Sequence, residues 1–281
     1  MPFAVTDCQT SDSGSVNEDR AGSAHHLAWV IDGATDVVEH PLTGAVTDAD
    51  WIAGRLDAAL TALVVTPPTD LSQIPDLTAS QLGTEFARQA RRPPIDKTEH
   101  PSASAIVVRA RAFGIDYVSV GDCTLLVEST SGFVRVGVDA ADAGDPQLAK
   151  ALAAVHARHG GLEGETARAQ IWPSIKAGRG AMNERYGVFS ITPTPRHFVQ
   201  AGRIAMPAGG HALLASDGLM RLVDVFRLYT ALELFAAARN EGLAPLMRRL
   251  RAVERDDIHG HRYPRAKIHD DATALLLCWS P

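Results

Sequence analysis

Two hydrophobic periodicities alternate along this chain. Short apolar runs at Phe3 to Asp7 and Leu27 to Ile31 read as strands, the second ending on Asp32-Gly33. Trp51, Ile52, Leu56, Leu60 and Leu63 recur at three- and four-residue spacing. They predict a helix that Asp48 would cap and Pro67-Pro68 would stop. A second helix is expected over Ala79 to Arg91, ahead of Pro93-Pro94. The centre is strand-like: Ala103 to Ala112, Ile115 to Val120, Thr124 to Val127 and Phe133 to Val136, each pair separated by a glycine-containing turn. That spacing predicts an antiparallel meander. A polar, glycine-punctuated helical stretch follows from Asp145 to about Arg179, and strands return at Tyr186 to Ile191, Phe198 to Ala205 and His211 to Ala215.

The last part reads as helical from Gly218 to Arg255, broken at Glu241-Gly242, with Leu228 to Phe235 facing the core. Asp256 to His269 reads as a flexible polar surface loop, and Ala272 to Trp279 as a closing apolar strand. There is no internal repeat, no low-complexity tract and no linker long enough to divide the chain. The expectation is a single α+β domain over residues 1–281.

Composition narrows this reading only slightly. The formal charge is -6, which argues against broad nucleic-acid binding, since phosphate contacts need clustered positive charge. The N-terminus lacks the basic start and apolar run of a signal peptide, and no segment has the length to span a bilayer. A cytoplasmic protein without a membrane partner is expected. Cys8, Cys123 and Cys278 are far apart and odd in number, so neither a disulfide framework nor a zinc ribbon is expected. One imbalance does matter: Asp outnumbers Glu, 22 to 11. Asp favours turns and caps and is a hard oxygen ligand for divalent cations.

Several of these Asp residues share one setting. Asp32-Gly33, Gly121-Asp122, Asp217-Gly218 and Asp270-Asp271 each stand where an apolar strand meets a turn, and Glu18-Asp19 forms a further acidic pair. Any one Asp-Gly is an ordinary turn. If the strand ends converge, however, the carboxylates face one another, repel, and raise each other's pKa. A shared divalent cation relieves that repulsion, and an oxygen-only donor set suits Mg²⁺ or Mn²⁺. His156 with His159, and His259 with His261, read as solvated residues rather than a zinc site. No nucleophile elbow, Walker A sequence or dinucleotide fingerprint is present.

The order of these segments resembles the metal-dependent serine/threonine protein phosphatases of type 2C, the PPM family. The resemblance rests on Asn17-Glu18-Asp19, Asp32-Gly33, Ser102-Ala103-Ser104-Ala105, Gly121-Asp122-Cys123, Ser216-Asp217-Gly218 and Asp270-Asp271-Ala272-Thr273, and so spans nearly the whole chain. It implies a four-layer α-β-β-α sandwich: two antiparallel sheets packed face to face, with helices on both outer faces. It implies two ions at one end of that sandwich, with Asp32, Asp217 and Asp270 as the catalytic set. Asp32 would bridge the ions, the Gly33 carbonyl would bind one, and Asp217 and Asp270 the other. Glu18 and Asp19 would contact metal-bound water, and Asp122 a weaker third ion. A hydroxide shared by the two ions would attack a phosphoserine or phosphothreonine of a protein substrate.

The sequence departs from the family pattern at three places. Ala34 stands where many members carry a His that helps protonate the leaving group. Ser11 to Val16 contains no Arg to grip phosphate, though Arg179 and Arg185 could supply one from the helical segment before Pro195. Arg221 occupies a position that is often acidic, which weakens the third-ion expectation for Asp122. Two alternatives therefore stay open: a small-molecule phosphatase on the same fold, and a non-catalytic pseudophosphatase that binds a partner.

Overall fold

Strands with both faces covered organise the chain. The computed structural model describes residues 3–13, 16–137, 146–159 and 164–280. Its first part holds β1 (Phe3–Ser11), β2 (Asp19–Ala24), β3 (Leu27–Gly33), α1 (Asp48–Leu63) and α2 (Ile74–Gln89). The middle holds β4 (Ser102–Arg111), β5 (Gly114–Val120), β6 (Thr124–Ser129), β7 (Gly132–Val136), α3 (Pro146–His159), α4 (Gly164–Gly180) and the short β8 (Phe189–Ser190). The remainder is β9 (Gln200–Ala205), β10 (His211–Ala215), α5 (Asp217–Asp224), α6 (Ala231–Glu241), α7 (Leu243–Asp256) and β11 (Ala272–Trp279).

Two antiparallel sheets result. One has the order β1-β11-β10-β6-β7; the other has β2-β3-β4-β5-β9, with β8 paired to β4. Side chains alternate across each strand, so each face packs against a different layer. On β3, Ala28 and Val30 meet Leu125, Leu214 and Leu275 in the core between the sheets, while Leu27, Trp29 and Ile31 meet α1 and α2. On β10 and β11, Leu213, Ala215 and Leu276 face α5 to α7. Helices thus cover both outer faces, giving the four-layer sandwich. Strands with two apolar faces read as near-continuous hydrophobic runs, and for that reason His211 to Ala215 and Ala272 to Trp279 were legible to the residue.

The differences have local causes. β2 has the sequence Asp-Arg-Ala-Gly-Ser-Ala, too polar to read as a strand; it forms because β3 offers it a complete antiparallel partner. Thr47, not Asp48, caps α1, its hydroxyl accepting from the Asp50 N–H at 3.0 Å. The Asp48 carboxylate instead accepts from the Leu42 and Thr43 N–H groups at 2.7 and 2.8 Å. α2 starts five residues before the expected Ala79, with Pro75 in its first turn. Of Tyr186 to Ile191 only β8 joins a sheet. The last helical region breaks a second time before α6, which opens on a Thr230–Glu233 capping box; Leu228 lies ahead of that helix and is exposed. Asp145, Gly14 and Ser15 lie outside the described residues.

The predicted meander fails at one place, and the failure is functional. β5 and β6 belong to different sheets, so Gly121-Asp122 is a crossing between the two layers rather than a hairpin turn. Gly121 takes φ 87°, and a Cβ there would stand 2.2 Å from Ser104 Oγ. Nor is Asp256 to His269 a loose loop. The buried Arg265 guanidinium binds Asp257 Oδ2 at 2.7 Å, the Asp257 carbonyl at 2.6 Å and the Ile268 carbonyl at 3.0 Å. Among the described residues no helix is long and apolar enough to cross a membrane.

Candidate metal centre

The acidic residues singled out from the sequence collect at one end of the sandwich, drawn from both sheets. Asp19 and Asp32 lie directly opposite each other across β2 and β3, and Asp32 lies opposite Ser104 on β4. Asp122 stands in the crossing that follows β5; its N–H donates to Ser104 Oγ at 3.3 Å. From the other sheet come Asp217, which opens α5 directly after β10, and Asp270, which precedes β11. Ser216 ties the two sheets together. Its hydroxyl donates to Asp19 Oδ2 at 2.8 Å and accepts from the Thr273 N–H at 2.9 Å.

The glycines of the motifs allow backbone to approach backbone. A Cβ on Gly33 would stand 2.7 Å from the Glu18 carbonyl and 2.8 Å from that of Ala49. On Gly218 it would stand 1.8 Å from the Asp271 carbonyl. Asp271 is a brace rather than a ligand: its carboxylate accepts from the Ser13 and Glu18 N–H groups, both at 2.7 Å, and fastens the Glu18 segment to the start of β11. Glu18 is buried, and the Thr35 hydroxyl donates to its Oε2 at 2.9 Å.

Crowding shows in the protonation of these groups. Burial, with the charges of Asp217, Asp19, Asp122 and Asp270, holds Asp32 well above the ordinary carboxylate range. Burial, opposed by the Ser216 hydrogen bond and aided by the charge of Asp217, pushes Asp19 up to about 8. Burial, with Asp270 and Asp122, pushes Asp217 up to about 7. A hydrogen bond from Asp32 works against the rise at Asp217, so the two carboxyls do not titrate independently.

Among the described residues, no group of three or more Asp, Glu, His or Cys side chains is arranged to hold an ion as the side chains stand. The Lys267 ammonium donates to Asp270 Oδ1 at 2.6 Å. The donors nevertheless fit divalent cations. They are oxygen-only, come from β2, β3, α5 and two connecting segments, and include a buried atom, Asp19 Oδ1, that has no hydrogen-bond partner.

The basic residues around the site fall in unexpected places. Arg221 points away from the carboxylates. It is buried against Glu254 Oε1 at 3.0 Å and donates to the Lys267 carbonyl at 2.6 Å. The expected repulsion between Arg221 and a third ion is therefore met by a neutralising partner. Arg20 braces the acidic loop by donating to the Asn17 and Asp19 carbonyls, both at 2.7 Å, and pairs with Asp50. Arg179, at the end of α4, does reach the site's edge, where it binds the Thr35 carbonyl and the Ser102 hydroxyl; Arg185 is exposed. His25 and His26 occupy the β2–β3 turn, at the opposite end of β3 from Asp32. Sequence reasoning missed Lys267, Ser216 and Asp271. Ser216 and Asp271 stood inside recognised motifs, but nothing in the sequence marked Lys267.

The shifted carboxylates predict a pH dependence. A carboxyl whose folded pKa is raised makes the folded state bind more protons than the unfolded one. Its contribution to stability is complete below the unfolded value and is lost as pH rises through the folded value. In chelator, Tm is expected to fall by about 5 °C or more between about pH 6 and about pH 9, and added Mn²⁺ should offset the fall at the upper end. Thermal denaturation over that range checks it; a Tm that is flat or rising in chelator would contradict it.

The sequence matches no family model and no curated protein. Solved structures do match, and they define a class: the fold is that of the PPM-type serine/threonine phosphatases. The chain is similar to the Mycobacterium tuberculosis serine/threonine phosphatase PstP/Ppp, at 14% identity and TM-score 0.58, over 99% of this chain and 98% of that one. It is similar to the catalytic domain of PstP in complex with 2 manganese ions, at 15% identity and TM-score 0.54, with 99% and 98% covered. It is also similar to MsPP, the PPM Ser-Thr phosphatase from Mycobacterium smegmatis, in complex with cacodylate, at 18% identity and TM-score 0.50, with 99% and 100% covered. At these identities the likeness is one of fold.

Proposed function

We propose that this chain is one PPM-type domain, a cytoplasmic Mg²⁺- or Mn²⁺-dependent phosphomonoesterase that acts on phosphoserine or phosphothreonine in proteins. The observation that carries the reading is the meeting of Asp19, Asp32, Asp122, Asp217 and Asp270 from both sheets at one sandwich end, with a buried Asp19 oxygen left unpartnered. A chain without catalytic duty has no physical need to hold repelling carboxylates together, which disfavours a binding-only role.

Asp32 would bridge two ions, with the Gly33 carbonyl on one and Asp217 and Asp270 on the other. Glu18 and Asp19 would hold their water shell, and Asp122 would serve a weaker third ion. The ions, when bound, supply Lewis acidity and positive charge opposite the phosphoryl oxygens. The protein's own residues orient this set. Ser216 fixes Asp19, Thr35 fixes Glu18, and Asp271 pins the Glu18 backbone. Asp32 and Asp217, both held above the ordinary carboxylate range, must be ionised to act as full carboxylate ligands. Ala34 has no proton to give, and His25 and His26 are at the wrong end of β3, so none of the three can protonate the leaving-group oxygen.

The test is hydrolysis of phosphoserine and phosphothreonine peptides, alongside an aryl phosphate and small phosphorylated metabolites, with Mn²⁺ or with chelator. Turnover that requires Mn²⁺ and favours the peptides is expected. A preference for the metabolites would replace the protein substrate by a small one, and hydrolysis that persists in chelator would sink the metal-dependent reading.

A further inference from the structure

We propose that Lys267 grips the phosphoryl oxygens of the substrate, an inference that rests on the phosphatase reading of this site. A phosphate monoester entering a ring of carboxylates needs positive charge supplied by the protein as well as by ions. The arginines around the site are committed. Arg251 is held by Glu254 and the Ser11 carbonyl. Arg20 is held by two loop carbonyls and Asp50, Arg221 by Glu254 and a carbonyl, and Arg179 by the Thr35 carbonyl and the Ser102 hydroxyl.

Lys267 is placed differently. Its ammonium donates to Asp270 Oδ1 at 2.6 Å and lies in the field of Asp217 and Asp32, yet its side chain is 42% exposed. An ammonium has three N–H donors and Asp270 engages one of them. A compact charge on a four-carbon stem can turn from a carboxylate to an incoming phosphate, where a planar guanidinium fixed by several acceptors cannot.

The segment that carries Lys267 is built to hold it there. Arg221 binds the Lys267 carbonyl at 2.6 Å, Arg265 binds the next carbonyl at 3.0 Å, and Ala266 packs on the apolar contact between α3 and α4. The chain has 4 Lys against 23 Arg, so a lysine among these carboxylates is not the chain's usual cation.

A plain counter-ion for Asp270 makes a different prediction from a phosphate ligand, and titration calorimetry separates the two. Inorganic phosphate is titrated into wild type, Lys267→Gln and Lys267→Arg, each with and without Mn²⁺, and Mn²⁺ is titrated into each alone. The phosphate Kd of the Gln variant is expected to rise about tenfold or more, with the Arg variant within about threefold of wild type. Mn²⁺ binding should be unchanged or tighter in the Gln variant, since the ammonium competes for Asp270. In hydrolysis of an aryl phosphate, KM should rise by the same factor as the phosphate Kd. Phosphate binding that is equal in wild type and the Gln variant would overturn the assignment, as would wild type that binds no phosphate. Weaker Mn²⁺ binding in the Gln variant would also overturn it, because Lys267 would then be a scaffold for Asp270. Failure of the phosphatase reading shows separately, as wild type that binds Mn²⁺ and phosphate but turns over no ester.

Discussion

Asp32→Asn is expected to lower Mn²⁺-dependent kcat/KM by about 10³-fold or more while raising the Tm of the ion-free protein. The two effects share one cause. Asp32 lies opposite Asp19 in the β2–β3 register, within reach of Asp217, and in the fields of Asp122 and Asp270. Asp217 faces as many of the rest, but Asp32 alone stands on the sheet opposite Asp19, so its charge is among those most needed by a bridging ion and most opposed without it. Asparagine keeps the shape and one carbonyl oxygen, so β3 and its pairing should persist. What goes is a carboxyl at the centre of the cluster that must either repel its neighbours or take up a proton. In chelator near pH 8 the remaining carboxylates then repel less, and Tm should rise by a few degrees. With Mn²⁺ present the order should reverse, because wild type gains more from ion binding. Denaturation of both proteins in chelator and in Mn²⁺, beside activity assays, reads all three effects. Activity in the variant near that of wild type would remove Asp32 from the centre of the mechanism. A variant of lower Tm in chelator would mean that the carboxylates are not in mutual repulsion.

That cluster was legible in the sequence because the same local device recurs. An apolar strand ends, a short carboxylate follows, and a glycine permits a close approach. Asp32-Gly33 and Asp217-Gly218 show it twice, with Gly218 almost touching the Asp271 carbonyl. β10 and β11 were legible for a related reason, since burial on both faces leaves no polar interruption. What stayed hidden depended on partners distant in sequence. β2 has no hydrophobic pattern of its own and exists through β3. Gly121-Asp122 looks like any hairpin turn, and only the sheet assignment of β5 and β6 makes it a crossing. The arginines gave the least sign of their roles. Arg221, Arg251 and Arg265 count as surface charge in a composition, yet all three are tied into networks that shape the loop before Asp270. A long polar side chain gives no local sign of whether its far end meets water or a buried acid.

The centre of those networks is Glu254, and Glu254→Ala is expected to destabilise the protein by about 3–5 kcal/mol, a fall in Tm of roughly 10 °C. Glu254 is fully buried on α7. One carboxylate oxygen accepts from Arg221 at 3.0 Å; the other accepts from Arg251 at 2.7 Å and meets His269 Nδ1 at 3.0 Å. Truncation leaves the Arg221 guanidinium buried with its charge unmatched, and that desolvation penalty dominates the loss. The same change reaches the metal centre from two sides. Arg251 also holds the Ser11 carbonyl at 2.8 Å, at the end of β1 leading to the Glu18 loop, while Arg221 holds the Lys267 carbonyl beside Asp270. Mn²⁺ affinity should therefore fall in Glu254→Ala, although no proposed ligand is altered. A double variant, Arg221→Met with Glu254→Leu, separates the two consequences. It removes the buried charge along with its partner and should recover most of the stability, because a buried ion pair replaced by apolar groups of similar size is often neutral. It cannot restore the bond to the Lys267 carbonyl, so its Mn²⁺ affinity should stay below that of wild type. Chemical denaturation and Mn²⁺ titration of the two variants decide the matter. A Glu254→Ala protein within about 1 kcal/mol of wild type would show that the network is not what holds this end of the sandwich, and full Mn²⁺ affinity in the double variant would show that the Lys267 segment needs no anchor.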